Sequence, residues 1–566
     1  MRSRRAGVVA LAPPLTVALL AGPVLAGLAG TILPAFGWLP GLGGAWGLDG
    51  FAGLAATPGI LRSALLSLWT GLAATALSLA AVILMVAALE GTRLFALVVR
   101  LLSPLLSVPH AAAAFGLAFL IAPSGWIARA LSPWATGWTA PPDALVVGDP
   151  AGLALIAGLV LKEVPFLLLM TLAALPQAHS QPTRQLTAAL GYGPVTGWLK
   201  AVLPRVYPQI RLPVFAVLAY GISAVETAII LGPTTPAPLA VRLTVWMRDP
   251  ALSQWITAAA GAVLLLAVLA LALGLWRTGE IAAARLGRRW AEGGGRGRSD
   301  GLLRLAAGLV AALTSLPMLA GLAGLAIWSA ARLWPFPDAL PSGLSGATWR
   351  AAWPGLAQAA SATALIGLAS VALALALVLG CLEAERRGAG RPPQAAIWLL
   401  YLPLLVPQIA FLFGLQMLAV GAGLDGRLTG VVLAHLVFVL PYVYLSLAEP
   451  WRALDPRFDA VAASLGASEP RIFWRVRLPL LLAPVLTAAA VGFAVSAGLY
   501  LPTLLVGAGR VTTLTTEAVA QAAGGDRRLI GVWALSQALM PFAGFTLALG
   551  LPALLARWRG RLGGAP

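Results

Sequence analysis

Runs of roughly 20 or more apolar residues recur along the whole chain, each long enough to cross about 30 Å of hydrocarbon as a helix. Nothing else in the sequence limits the fold so strongly. Inside a bilayer no water satisfies backbone N–H and C=O groups, so a spanning segment is either a helix or a strand of a closed barrel. The strict apolar–polar alternation of a barrel strand is absent, so the pattern predicts an all-α integral membrane protein. Composition agrees: 10% of the 566 residues are charged and 60% are hydrophobic. A soluble domain carries about 25% charged residues to face water.

The pattern predicts about twelve transmembrane helices. The first half holds 7–30, 64–89, 97–122, 151–175, 212–232 and 257–276. The second holds 302–329, 355–382, 396–420, 430–449, 484–507 and 532–556. Arg2, Arg4 and Arg5 precede the first run as they would in a signal peptide. That run is long for the apolar core of a signal and has a counterpart at 302–329, so it reads as an uncleaved anchor.

The formal charge of +18 raises nucleic acid as a partner. The basic residues fall in short loops between apolar runs, with no aromatic interleaving, so they read instead as the positive-inside bias of a membrane protein. With the N-terminus inside, most Lys and Arg lie on the cytoplasmic side, and both termini are expected there. The stretch Arg277–Gly301 dominates this bias, and its Gly/Arg-rich end reads as a flexible cytoplasmic linker. A single cysteine, Cys381, excludes an intramolecular disulfide and a multi-cysteine metal site. His110, His179 and His435 are far apart in sequence, so no metal site is expected.

The halves repeat. Leu190–Gly191 and Leu465–Gly466 lie 275 residues apart, as do Leu203–Pro204 and Leu478–Pro479, and Gly232 and Gly507. Val108–Pro109 and Gly116 match Val406–Pro407 and Gly414 at a spacing of 298, the difference reflecting the longer loop 123–150 in the first half. An even number of spans in each half makes the repeats parallel, related by a pseudo-twofold axis along the membrane normal. The expected division is a first repeat at 1–276, a linker at 277–301 and a second repeat at 302–566.

Two loops stand out, Gln185–Pro204 (QLTAALGYGPVTGWLKAVLP) and Ala460–Pro479 (AVAASLGASEPRIFWRVRLP). In each, a short Ala-rich helix ends at Gly, and a second short helix ends at Leu-Pro. Gly191 and Gly466 stand where a left-handed residue is needed. Pro194 can begin the second helix of one loop; in the other, Ser468 can cap it with Pro470 in the first turn. Pro204 and Pro479 are expected to stop the helix and redirect the chain. Trp198 and Phe473 read as apolar knobs for a partner, with Lys200 and Arg475 beside them. A single such loop could simply lie on the headgroups; the same spacing in both repeats favours a docking element.

These loops resemble the EAA loop of permease subunits in binding-protein-dependent ABC importers. That motif runs Glu-Ala-Ala, three residues, Gly, nine residues, an aliphatic residue, any residue, Leu-Pro. Gly191 to Ala201–Val202–Leu203–Pro204 and Gly466 to Val476–Arg477–Leu478–Pro479 fit the spacing. The leading acid is missing: Gln185 and Ala460 stand there, with Asp459 one position off. The resemblance implies the type I importer permease fold and coupling elements seated in a cleft of the ATP-binding subunit. One element is Leu190, Gly191, Trp198, Lys200, Leu203 and Pro204; the other is Leu465, Gly466, Phe473, Arg475, Leu478 and Pro479. It also implies a homodimeric ATPase in trans, an external solute-binding protein and a place in the bacterial inner membrane. Two permeases fused in one chain resemble iron(III), thiamine and polyamine uptake systems, and Ile229–Pro236 (IILGPTTP) looks closest to thiamine-type fused permeases.

The P-loop pattern GxxxxGK[ST] is absent: the only lysines, Lys162 and Lys200, both follow Leu. ATP and Mg are therefore expected on the partner, with no cofactor on this chain and no enzymatic activity of its own. Gly191–Tyr192–Gly193 is a poor match to a potassium filter, since it becomes Gly-Ala-Ser in the other repeat. Glu385–Arg391 (ERRGAGR) lacks a counterpart near Glu90–Arg93 and reads as a basic loop.

Lys162, Glu163, Glu226 and His435 fall within spans, where ionisable residues are rare and usually face a cavity or one another. Two readings compete. They line a translocation path, or they pair structurally, with Lys162 neutralised by Glu163 or Glu226. His110 is expected only to pack near a helix break after Pro109. A secondary transporter with parallel repeats, driven by an ion gradient, shares the twelve spans; the duplicated docking loop favours the ATP-driven importer.

Overall fold

The computed structural model describes residues 7–39, 43–297, 300–389 and 394–562. Arg2, Arg4, Arg5 and the end of Glu385–Arg391 lie outside them.

The described chain is helical almost throughout. The first half comprises α1 (Ala12–Ala35), α2 (Ile60–Leu89), α3 (Arg93–Leu105), α4 (His110–Ile121), α5 (Leu153–Ala174), α6 (Ser180–Ala189), α7 (Leu203–Ser223), α8 (Glu226–Leu231) and α9 (Leu252–Glu292). The second comprises α10 (Gly301–Ala330), α11 (Ala347–Ala384), α12 (Gln394–Leu405), α13 (Gln408–Gly421), α14 (Leu428–Ala453), α15 (Arg457–Ser464), α16 (Leu482–Gly498), α17 (Leu501–Val506) and α18 (Arg527–Leu562). Among the described residues, 9 helices are long and apolar enough to cross a membrane, and two bent pairs bring the number to 11. The remaining expected span is α7, a 21-residue helix that is less apolar because it carries Arg205 and Arg211.

Several spans expected to be continuous are broken. The run 97–122 divides into α3 and α4, and the run 396–420 into α12 and α13, which meet at 94°. The cause is Val108–Pro109 and Val406–Pro407. A proline offers no N–H to the preceding turn and crowds its carbonyl. Both prolines are extended (ψ 150° and 125°), and helix restarts at the next residue. The run 212–232 likewise divides into α7 and α8, and 484–507 into α16 and α17. Here Ala224 and Leu499 turn extended, with ψ 127° and 115°.

The linker departs from expectation most. The 41-residue α9 continues through its first part to Glu292. At 1.5 Å per residue it is about 60 Å long, twice the hydrocarbon thickness, so its C-terminal part is a rigid extension of the sixth span.

The first helix of each half packs on the other half. α1 lies along α13 and α10 lies along α4, with glycines at both crossings. A Cβ on Gly30 would lie 3.0 Å from the Gly414 Cα, and one on Gly321 would lie 2.7 Å from the Gly116 carbonyl carbon. Between helices in lipid, where apolar burial gives little drive, close backbone approach through small residues provides the packing. Thr31 adds a bond, its hydroxyl accepting from the Gly414 N–H at 2.9 Å. The halves also meet beyond α4. Arg129 donates to the Pro335 carbonyl at 2.6 Å, and Arg527 to the Ser124 carbonyl at 2.8 Å.

Candidate functional site

The two loops expected to dock a partner, Gln185–Pro204 and Ala460–Pro479, fold to one plan. α6 ends at Gly191 (φ +80°) and α15 at Gly466 (φ +79°), the left-handed conformation that glycine adopts without a Cβ penalty. A four-residue helix follows, Pro194–Gly197 or Glu469–Ile472. Ser468 occupies the N-cap position, but its side chain makes no cap bond. Then comes one widened π turn, Trp198–Val202 or Phe473–Arg477. The Leu-Pro pairs explain it. Pro204 has no N–H for the Lys200 carbonyl, nor Pro479 for the Arg475 carbonyl, and a turn one residue wider relieves the clash. Neither proline stops the chain as expected. Pro204 lies in the first turn of α7, and Pro479 in the short helix Leu478–Leu480 before α16.

The exposed aliphatic side chains the two loops share are Leu190 and Leu465, 53% and 82% exposed, with Leu186 and Val461 one turn earlier, 62% and 60% exposed. Leu190 and Leu465 were expected. Leu186 and Val461 were missed, although the i, i+4 spacing repeats 275 residues on and signals them. Leu203 and Leu478 are half-buried, and Pro204 and Pro479 exposed.

Trp198 corrects the expectation of an apolar knob. It is fully buried, and its indole N–H donates to Glu90 at 3.2 Å. Arg184 lies 3.2 Å from the same carboxylate, so the end of α2 holds the first loop from beneath. Phe473 is half-buried 6.0 Å from the Trp451 ring, and the exposed aromatic is Trp474. Lys200 is engaged within the chain, donating to the Gly295 carbonyl at 2.7 Å, whereas Arg475 is exposed. In the second loop buried Arg477 takes the supporting role. It bonds Glu383 at the end of α11, Asp459 in α15 at 3.0 Å and Glu469 at 3.2 Å. Arg386 also pairs with Asp459, at 2.6 Å. The acid nearest the missing motif position therefore faces inward.

The buried polar residues divide into three arrangements. Lys162 makes no direct salt bridge to either carboxylate, although Glu163 is its neighbour in the chain. Its ammonium donates to the carbonyls of Val108 (2.6 Å), Leu106 (3.0 Å) and Leu105 (3.5 Å). These belong to the end of α3 and the break after it, where carbonyls lack helical partners and a cation is favoured. Glu163 and Glu226 converge on Tyr220 instead. Tyr220 donates to Glu226 at 2.9 Å and packs against His110 with ring centroids 4.5 Å apart and planes tilted by 45°, and His110 lies 3.5 Å from Glu163. His110 therefore belongs to this cluster, which its sequence context concealed. His435 is buried between the hydroxyls of Ser496 (2.8 Å) and Thr503 (2.9 Å). Among the described residues no group of three or more His, Cys, Asp or Glu could hold a metal ion.

Replacing Lys162 by Met keeps an unbranched side chain one atom shorter and removes the donors. We expect a loss on the order of 2–3 kcal/mol, as for a hydrogen-bonded charge. A lowered midpoint of thermal unfolding with transport retained at low temperature is the expected outcome; lost transport at unchanged stability would instead place Lys162 on the path.

Residues 376–558, which include the second docking loop, match the family described as binding-protein-dependent transport system inner membrane component. The inner membrane ABC transporter permease protein YnjC of Escherichia coli is 33% identical over 462 residues, covering 81% of this chain and 80% of that protein. The molybdenum transport system permease protein ModB of Mycobacterium tuberculosis is 34% identical over 158 residues, 26% of this chain and 57% of its own. The spermidine/putrescine transport system permease protein PotC of Haemophilus influenzae is 32% identical over 133 residues, 23% of this chain and 52% of its own. A relationship that runs through four fifths of both chains in the first of these places the protein in the family of ABC transporter permeases, the inner membrane components of binding-protein-dependent transport systems.

Proposed function

We propose that this chain carries both permease units of an ATP-driven importer in one polypeptide, with ATP-binding subunits, as a homodimer, seated on Gln185–Pro204 and Ala460–Pro479. ATP and Mg bind those subunits, and this chain performs no hydrolysis. Their closure draws the two loops together and rocks the bundle between outward- and inward-facing states. The docking loops and both termini face the cytoplasm, and an external binding protein delivers the solute to the opposite face. Glu163 and Glu226, with His110 and Tyr220, line the path where the halves meet. His435 supports the second half from within.

The observation that carries this reading is the duplicated loop. Two copies share the left-handed Gly, the π turn and an exposed aliphatic pair, which is more than a lipid-facing loop requires. An ion-gradient transporter gives no reason for that duplication. The solute class rests on the likeness of Ile229–Pro236 to thiamine-type fused permeases and of the fusion to iron(III) and polyamine systems. The solutes in the relatives' names, molybdenum and the polyamines, do not converge.

The test is uptake into proteoliposomes holding this chain and the ATPase that co-purifies with it. Uptake is expected to need ATP inside and to survive a protonophore. Uptake that proceeds without ATP and follows a proton gradient would overturn the reading.

A further inference from the structure

The two docking loops are built alike, but the chain treats them differently. After α9 ends at Glu292, the linker turns back over the first loop. The Gly193 N–H donates to the Arg296 carbonyl at 2.9 Å. The Val195 N–H donates to the Asp300 carboxylate at 2.8 Å. Lys200 bonds the Gly295 carbonyl and sits 4.6 Å from the Trp290 ring centroid. Gly193 packs so closely on the Gly297 carbonyl that a Cβ there would collide with it, and Gly297 packs equally closely on Thr196.

Two of these bonds satisfy N–H groups at the start of the short helix Pro194–Gly197, which have no partner within the helix. Asp300 is buried and stands at the N-cap position of α10, yet makes no cap bond to its own helix. Its carboxylate serves the first loop instead. The second loop cannot be held in this way. Pro470 stands where Val195 stands in the first loop, and a proline has no N–H to donate. The residue equivalent to Lys200 is Arg475, which is exposed.

We propose that Trp290–Gly297, with Asp300, is a strap that fastens the first docking loop to the start of α10, making the two ATPase-docking sites inequivalent. Movement of the first loop pulls directly on the first helix of the second half. Movement of the second loop reaches its own half through Arg477 and the end of α11. The strap is an intrachain contact, while its role in coupling rests on the importer reading above.

Hydrogen exchange on the full chain in lipid nanodiscs, without any ATPase, tests the strap. In Asp300→Ala, the amides of Gly193 and of residues 195–197 should exchange roughly ten-fold faster or more, as local opening becomes easier, while amides 461–467 keep the wild-type rate. Lys200→Met is the second variant, touching the same contact from the loop side, and should show the same pattern to a smaller degree. Unchanged exchange at Gly193 and 195–197 in both variants, or equal acceleration in both loops, would overturn the strap.

The coupling is tested by ATP hydrolysis in the complex with the co-purifying ATPase. Asp300→Ala should lower solute uptake per ATP hydrolysed at least two-fold. Unchanged coupling with accelerated exchange would overturn the role in coupling and leave only a structural contact. Should wild-type protein bind no ATPase at all, the importer reading fails and the coupling role with it, while exchange still judges the strap.

Discussion

Replacing Leu190 and Leu465 together by Asp is expected to abolish the proposed ATP-driven uptake while the protein stays folded. Both side chains lie more than half exposed, so neither change removes packing within the chain. Seated in a partner's cleft, each Leu contributes about 1.5–3 kcal/mol by burial. Each Asp adds the cost of a charge with no partner. The loss at each loop is therefore at least about ten-fold to a hundred-fold in affinity. Co-purification of the ATPase is the direct measurement, with circular dichroism and elution volume as controls for folding. Retention of the ATPase at the wild-type level would place the docking surface elsewhere. The single variants add a comparison, because Leu190 lies on the strapped loop and Leu465 on the unstrapped one.

Gly414→Leu is expected to disrupt the contact between α1 and α13. A Cβ at this position would stand 2.7 Å from the Gly30 carbonyl carbon and 2.7 Å from the Thr31 nitrogen. These are backbone atoms of a helix, with no side chain that can swing aside. The change also threatens the bond between Thr31 and the Gly414 N–H. Overpacking a well-filled contact costs about 1–3 kcal/mol, and more where neither side can relax. We expect at least 3 kcal/mol here, read as loss of the monodisperse peak and a much lower yield. Gly274→Leu is the matched control, since Gly274 is exposed and a Cβ there meets nothing within 4 Å. Equal behaviour of the two variants would show that α1 and α13 do not need their close approach.

The sequence carried the fold class and the repeat because both depend on long patterns. Spans of about 20 residues and a spacing of 275 survive any local uncertainty. The left-handed Gly191 and Gly466 were equally legible, since the requirement is local to one residue. What escaped depended on contacts between distant segments. Trp198 reads as a knob in its own loop, and only the position of Glu90 at the end of α2 explains its burial. Lys162 invites pairing with its neighbour Glu163, but the broken end of α3 supplies carbonyls that no local pattern shows. His110 looked incidental until α7 brought Tyr220 against it. The linker's Gly and Arg content suggested freedom, whereas its backbone carbonyls are what bind the first loop.

The exchange of first helices also bears on how the chain is made. α1 leaves the ribosome before the helix it packs on, α13, which lies nearly four hundred residues later. At about 5–20 residues per second, α1 waits roughly 20–80 s for that surface to exist. Through this interval its glycine stripe faces lipid, or whatever holds a nascent membrane helix. The first half therefore cannot complete its packing on its own schedule, and the last steps of assembly belong to both halves at once.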